Sequence, residues 1–168
     1  MARVGTRILD TGDIFPDLRL RTLDGSEIQI KTGLKNPWNV LLFYRGSWCP
    51  FCKAQLKSFQ NGLERITAEG IGVLAISVDP LEKARETQKE TGATFPIAYG
   101  VSVKETAEAV GAFYDAAPTH TAPYLQSTGF ILGPDGKVAI SVYSSGAIGR
   151  LTWQDVLAIV QHKKAARK

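Results

Sequence analysis

Cysteine is scarce in this chain. Its 168 residues carry two, alongside one methionine and two histidines. That scarcity excludes a disulfide-stapled scaffold, which needs several pairs spread over the sequence. It also argues against a bound metal. A structural zinc site takes four ligands, a C-x-x-C supplies two, and His120 and His162 are not paired at finger spacing. No apolar run reaches the length of a bilayer span, and the N-terminus lacks the apolar core of a secretory signal. No basic stripe interleaved with aromatics is present either. The net charge of +4 arises at the end of the chain, where Lys163, Lys164, Arg167 and Lys168 form a basic tail on an otherwise neutral body. We therefore expect no nucleic-acid partner and no membrane partner. The expectation is a soluble cytoplasmic protein of one domain, spanning 1-168 with its tail at 163-168.

The two cysteines form Cys49-Pro50-Phe51-Cys52, directly after Trp48. There the apolar run Val40-Leu41-Leu42-Phe43-Tyr44 gives way to a segment patterned as a helix. A helix start suits thiol chemistry, because its unpaired backbone N–H groups and the positive end of its dipole favour thiolate over thiol. Proline fits the first helical position, whose N–H the helix does not use. Cys49 then lies near the cap, and Cys52 one turn further in and more buried. The pair reads as a redox-active dithiol. Two inert core cysteines need neither the Trp-Cys-Pro setting nor this spacing, and a structural disulfide closing so short a loop constrains the unfolded chain little.

The rest of the chain supplies a frame. Asp17 to Leu23 alternates, and Asp24-Gly25 turns it into Glu27 to Ile30, a hairpin extension over about 13-31. Trp38 to Tyr44 is continuously apolar, as in a strand covered on both faces. From Pro50 to about Glu69, residues Cys52, Leu56, Phe59, Leu63 and Ile66 recur at helical spacing on one face. Val73 to Val78 forms a second buried strand, stopped by Asp79-Pro80. A helix over Leu81 to Thr91, a short strand over Phe95 to Tyr99 and a helix over Val103 to Val110 follow. Phe113 to Gln126 reads as irregular. Thr128 to Leu132 and Lys137 to Tyr143 pair around Gly133-Pro134-Asp135-Gly136. A last helix starts near Thr152, with Asp155 as a capping-box partner and Trp153, Val156, Leu157 and Val160 inside. This order describes an α/β fold with a central mixed sheet flanked by helices. In such sheets ligands bind beyond the carboxyl ends of the strands, which is where Tyr44 to Cys49 lies.

Phe43-Tyr44-Arg45-Gly46-Ser47-Trp48-Cys49-Pro50-Phe51-Cys52, Ser77-Val78-Asp79, Thr94-Phe95-Pro96 and the stretch Gly129 to Val138 together resemble the thioredoxin-fold superfamily. Within it they look like the peroxiredoxin-like (alkyl hydroperoxide reductase/thiol-specific antioxidant) branch. The resemblance implies a thioredoxin-like fold and thiol-dependent reduction of a peroxide or disulfide substrate. It implies no cofactor, and recharging by a dithiol reductant such as a thioredoxin- or glutaredoxin-like protein. The chain departs from the family's Pro-x-x-x-Thr/Ser-x-x-Cys pattern: Gly46 stands three residues before Cys49, and Cys49 three before Cys52. The family's distant arginine is expected just before the Phe-Ile strand, where this chain has Gln126-Ser127-Thr128-Gly129. A thioredoxin-type cis-proline is missing there too, unless Pro123 takes the role. The Pro-Phe dipeptide is closer to the Pro-Tyr of glutaredoxins than to the Gly-Pro of thioredoxins, which implies a dithiol less reducing than thioredoxin by roughly tens of millivolts.

On this reading Cys49, expected to be the more exposed, attacks, and Cys52 resolves the intermediate by closing the Cys49–Cys52 disulfide. Arg45 either supports the thiolate electrostatically or forms a surface salt bridge. Trp48 either shields the disulfide and offers flat contact area or packs in the core. Pro50 sets the helix start. His120, in a proline-bounded loop, is either a proton carrier or a plain loop residue. An oxidoreductase and a non-enzymatic redox sensor or binding module are the two function classes. The fold leaves sheet edges at which a homodimer would pair.

Overall fold

The computed structural model describes residues 2–3 and 7–167. In chain order its elements are β1 (Ala2–Arg3), β2 (Arg19–Thr22), β3 (Glu27–Gln29), the single turn α1 (Ile30–Gly33) and β4 (Trp38–Phe43). Then come α2 (Pro50–Ala68), β5 (Ile71–Ile76), α3 (Leu81–Thr91), β6 (Ile97–Tyr99), α4 (Val103–Val110) and β7 (Phe113–Asp115). The chain closes with β8 (Tyr124–Leu125), β9 (Thr128–Leu132), β10 (Val138–Tyr143) and α5 (Trp153–Ala165). Seven strands form one sheet in the order β10-β9-β4-β5-β6-β2-β3. The pairs β4–β5 and β5–β6 are parallel and the others antiparallel, so the sheet is mixed as expected.

All of β4 is buried because both its faces are covered. Trp38, Val40 and Leu42 pack with Leu56, Phe59 and Ile66 of α2 and Val156 and Val160 of α5. Leu41 and Phe43 face the opposite layer, with Ala107 and Val110 of α4 and Leu9 and Phe15 of the N-terminal segment. On α2 the fully buried stripe is Cys52, Leu56, Phe59, Gly62 and Ile66, while Leu63 is only partly buried. Gly62 belongs there because α5 crosses at that point: a Cβ on it would lie 2.3 Å from Cδ2 of Trp153. The capping box at α5 is present, with Thr152 Oγ1 accepting the Asp155 N–H at 3.1 Å.

Two expectations change in detail. The Asp24-Gly25 hairpin forms, held by the Asp24 carboxylate accepting from Thr22 Oγ1, Ser26 N and Ser26 Oγ. Through β2 it pairs with β6, so the extension is built into the sheet's edge. The stretch Phe113 to Gln126 is not wholly irregular. It contributes β7 and β8 to a small second sheet with β1, whose partner strand lies at the other end of the chain. Among the described residues no helix is long and apolar enough to cross a membrane.

Candidate active site

The site begins where β4 ends. Tyr44 keeps the sheet register by donating its N–H to the Ile76 carbonyl, and the chain then turns through Arg45-Gly46-Ser47-Trp48. Gly46 has φ of 152°, in the region that favours glycine. A Cβ there would meet Trp48 Nε1 at 2.6 Å and Asp79 Oδ1 at 3.1 Å. The turn is pinned to the end of β5 by the Ser47 N–H, which donates to Asp79 Oδ2 at 2.8 Å. Burial raises the Asp79 carboxyl above its ordinary pKa, against that hydrogen bond. Cys49 follows as the N-cap of α2 with Pro50 at the first helical position, the arrangement the sequence predicts.

Both thiols are free, and both are fully buried. Neither thiol is exposed, because two arginine side chains and the preceding turn close over Cys49, the one expected to be the more exposed of the two. It nonetheless lies nearer the surface than Cys52. Cys49 Sγ accepts the Cys52 backbone N–H at 3.3 Å and is reached by Arg45 Nη1 at 3.9 Å and Arg150 Nη2 at 3.7 Å. Cys52 Sγ accepts the Arg45 backbone N–H at 3.4 Å and Arg150 Nη2 at 3.2 Å. The Cys52 thiol hydrogen bond lowers the Cys49 pKa most, followed by the Cys52 N–H and the charges of Arg150 and Arg45. Against the opposing effect of burial they bring it to about 5. Burial, then the hydrogen bond to Cys49, push Cys52 the other way, so that it holds its proton. The pair is thus one thiolate beside one thiol.

The expected supporting residues gather around this pair. Arg45 forms no ion pair among the described residues. Its guanidinium lies over the rings of Trp48 (4.7 Å) and Tyr124 (5.0 Å), and its Nη2 donates to the Tyr124 hydroxyl at 3.1 Å. Trp48 meets Tyr124 edge-on at 4.9 Å and remains 40% exposed, so it is not a core residue. Phe51, within the motif, is 51% exposed. His120 is exposed and lines the same cleft as Arg45, Trp48, Asp79 and Tyr124, without a hydrogen bond to either thiol. Pro123 also lines that cleft and follows a trans peptide bond, so it does not take the cis-proline role. Among the described residues no cluster of three or more His, Cys, Asp or Glu side chains is placed to hold a metal ion.

Arg150 was not legible as a site residue. The family resemblance implies an arginine just before β9, and there the chain has Gln126, fully buried. The charge comes instead from the loop between β10 and α5, 98 positions from Cys52. No local motif marks it. Tyr124 and Gln55, which hold the two guanidinium groups, are equally silent in the sequence.

The AhpC/TSA family model matches residues 11–141. A peroxiredoxin of Treponema denticola is 27% identical over 155 residues, covering 88% of this chain and 71% of that protein. The thiol-disulfide oxidoreductase ResA of Bacillus subtilis is 27% identical over 135 residues, covering 80% of this chain and 68% of that protein. The solved structure of Mycobacterium tuberculosis AhpC superposes with a TM-score of 0.79 at 17% identity, covering 95% of this chain and 96% of that one.

Proposed function

The chain belongs to the AhpC/TSA family, and from that premise we propose that it reduces hydroperoxides with Cys49 as the attacking thiolate and Cys52 as the resolving thiol. As a thiol-dependent oxidoreductase it falls outside the sensor or binding-module class. One observation carries the choice of peroxide over disulfide. The low-pKa sulfur is faced by two guanidinium groups, cations placed to receive the negative charge that passes to the leaving oxygen of a peroxide.

The reaction follows from that geometry. The Cys49 thiolate attacks the terminal oxygen of ROOH, the O–O bond breaks, that oxygen keeps its proton on sulfur, and RO⁻ leaves as ROH by taking one proton from solvent. Cys49 is oxidised to the sulfenic acid. Arg45 and Arg150 stand where negative charge passes from sulfur to the departing oxygen, and they supply the electrostatic support that a Thr/Ser hydroxyl gives in the family pattern. Cys52 sulfur then attacks Cys49 sulfur, its proton leaves with the sulfenic oxygen as water, and the Cys49–Cys52 disulfide closes. A thioredoxin- or glutaredoxin-like dithiol reduces that disulfide, approaching over the exposed Trp48 and Phe51.

The test is stopped-flow tryptophan fluorescence of the reduced protein mixed with hydrogen peroxide or a small disulfide. A peroxide rate constant on the order of a thousandfold above a free thiol is expected. Background reactivity with peroxide beside fast disulfide exchange would replace the peroxidase by a disulfide reductase. In the same assay Cys49→Ser should abolish the reaction, whereas Cys52→Ser should stop it at the sulfenic acid. The reverse pattern would exchange the two roles.

A further inference from the structure

Gln55 lies one turn beyond Cys52 on α2, facing the loop that carries Arg150. Its Oε1 accepts Arg150 Nη1 at 3.0 Å, and its Nε2 donates to the Leu151 carbonyl at 3.0 Å. One side chain thus pins two consecutive residues of the loop to the helix that bears the cysteines. Arg150 Nε is held separately by the Ala147 carbonyl at 2.8 Å. With two edges of the guanidinium fixed, Nη2 is left facing the sulfurs, 3.2 Å from Cys52 and 3.7 Å from Cys49. The anchors are both neutral, an amide oxygen and a backbone carbonyl. Among the described residues no carboxylate pairs with Arg150. A carboxylate in the place of the Gln55 amide would form a charge-assisted pair and draw the cation's field away from sulfur. The neutral amide fixes direction without neutralising charge.

We propose that Gln55 is a positioning residue that holds Arg150 between the two thiols, so that one cation serves both half-reactions in turn. In the reduced protein the cation favours the Cys49 thiolate. Once Cys49 has become a neutral sulfenic acid, the like charge that opposed ionisation of Cys52 is gone, and the same guanidinium favours the Cys52 thiolate. The second half rests on the peroxide reading; the first half does not. Bond changes are those given above, and Gln55 takes no part in them. Its role is to keep Arg150 from following its loop.

The experiment uses the full-length reduced protein and two variants. Gln55→Met keeps length and packing but loses both hydrogen bonds, while Gln55→Glu keeps the reach and adds a charge. Thiolate absorbance near 240 nm is titrated against pH without any peroxide. The inflection assigned to Cys49 should move up by about one unit in the Met variant and further in the Glu variant. A second readout follows disulfide closure after a single turnover with hydrogen peroxide, where about a tenfold slowing is expected for each unit lost from the thiolate equilibrium. Urea midpoints accompany both. Inflections at the wild-type pH in both variants overturn the proposal. So does a lowered urea midpoint with an unmoved inflection, since Gln55 would then only hold the loop together. Because the titration contains no peroxide, a shifted inflection supports the positioning role independently of the wild-type peroxide rate. A slow wild-type rate would be the separate failure of the functional reading.

Discussion

The unequal thiols predict a redox potential with half the usual pH dependence. Cys49 is ionised from about pH 5 upward, while Cys52 keeps its proton. The reduced site therefore holds one proton where an ordinary dithiol holds two, and oxidation to the disulfide releases two electrons and one proton. For a two-electron couple a tenfold change in equilibrium constant is about 30 mV, so the midpoint should fall by about 30 mV per pH unit, against about 59 mV for a dithiol that loses two protons. The same asymmetry enters stability. The ordinary thiol value is 9.0 and the folded value of Cys49 about 5, so its folded pKa is depressed. The stabilisation is then fully present above the unfolded pKa and is lost as pH falls through the folded one. Between these limits it grows with pH, by at most about 1.4 kcal/mol per pH unit for a single proton. Cys52, raised, contributes nothing while it is protonated in both states, and opposes folding only above the ordinary thiol range. The assay equilibrates the protein with a glutathione or dithiothreitol buffer at several values from about pH 6 to 8.5. The oxidised fraction is read from Trp48 fluorescence and from alkylation. A slope near 59 mV per unit would refute the reasoning, because it would mean that neither sulfur is ionised in the folded protein.

Two further perturbations test separate parts of the structure. Arg150→Met removes the cation shared by the sulfurs, and the Cys49 inflection should rise by about one to two units. Near pH 5.5 the peroxide rate constant should then fall several-fold, but near pH 8, where the thiolate is fully formed either way, the ionisation effect should vanish. A loss of equal size at both values would mean that Arg150 acts on the transition state alone. Gly62→Val puts a branched side chain where a Cβ already lies 2.3 Å from the Trp153 ring, so α2 and α5 must separate. A destabilisation of about 1–3 kcal/mol by urea denaturation is expected, and a wild-type urea midpoint would mean that the two helices are not closely packed at Gly62.

Much of the frame was legible because local chemistry and tertiary context agree. The run Trp38 to Phe43 reads as a strand buried on two faces and is buried at every position. The helix over Leu81–Thr91 sits between Pro80, which starts it, and Gly92, which ends it with a φ of 70°. Val103–Val110 is bounded in the same way by the Ser102 cap and Gly111. Where the reading fell short, the deciding partner was remote in sequence. Tyr124–Leu125 is too short to show a period, and becomes a strand only through β7, which in turn pairs with Ala2–Arg3. Helical spacing marks Leu63 as a core position, yet Leu63 is only partly buried and Gly62 lies in the buried stripe, because the Trp153 ring of a helix far along the chain sits against it.

The site divides along the same line, and sheet register explains why. Cys49, Pro50 and Cys52, with Arg45 and Trp48, lie within one strand-turn-helix and could be read together. Arg150 could not, because its approach depends on which strands are neighbours. Phe43, the last residue of β4, pairs with Thr128, and Thr128 pairs with Tyr143, the last residue of β10. The chain therefore leaves β10 at the level at which it leaves β4, two strands across. The loop from Ser144 to Leu151 is delivered to the cysteine turn by register alone. Tyr124 arrives at the same end just ahead of β9. Several segments thus converge on one end of the sheet's strands, and any of them can supply a cation. The absence of an arginine just before β9 removes a position without removing the charge, since Arg150 reaches both sulfurs from the next loop of the sheet. A motif search tests positions, whereas the thiolate responds only to the field at its sulfur.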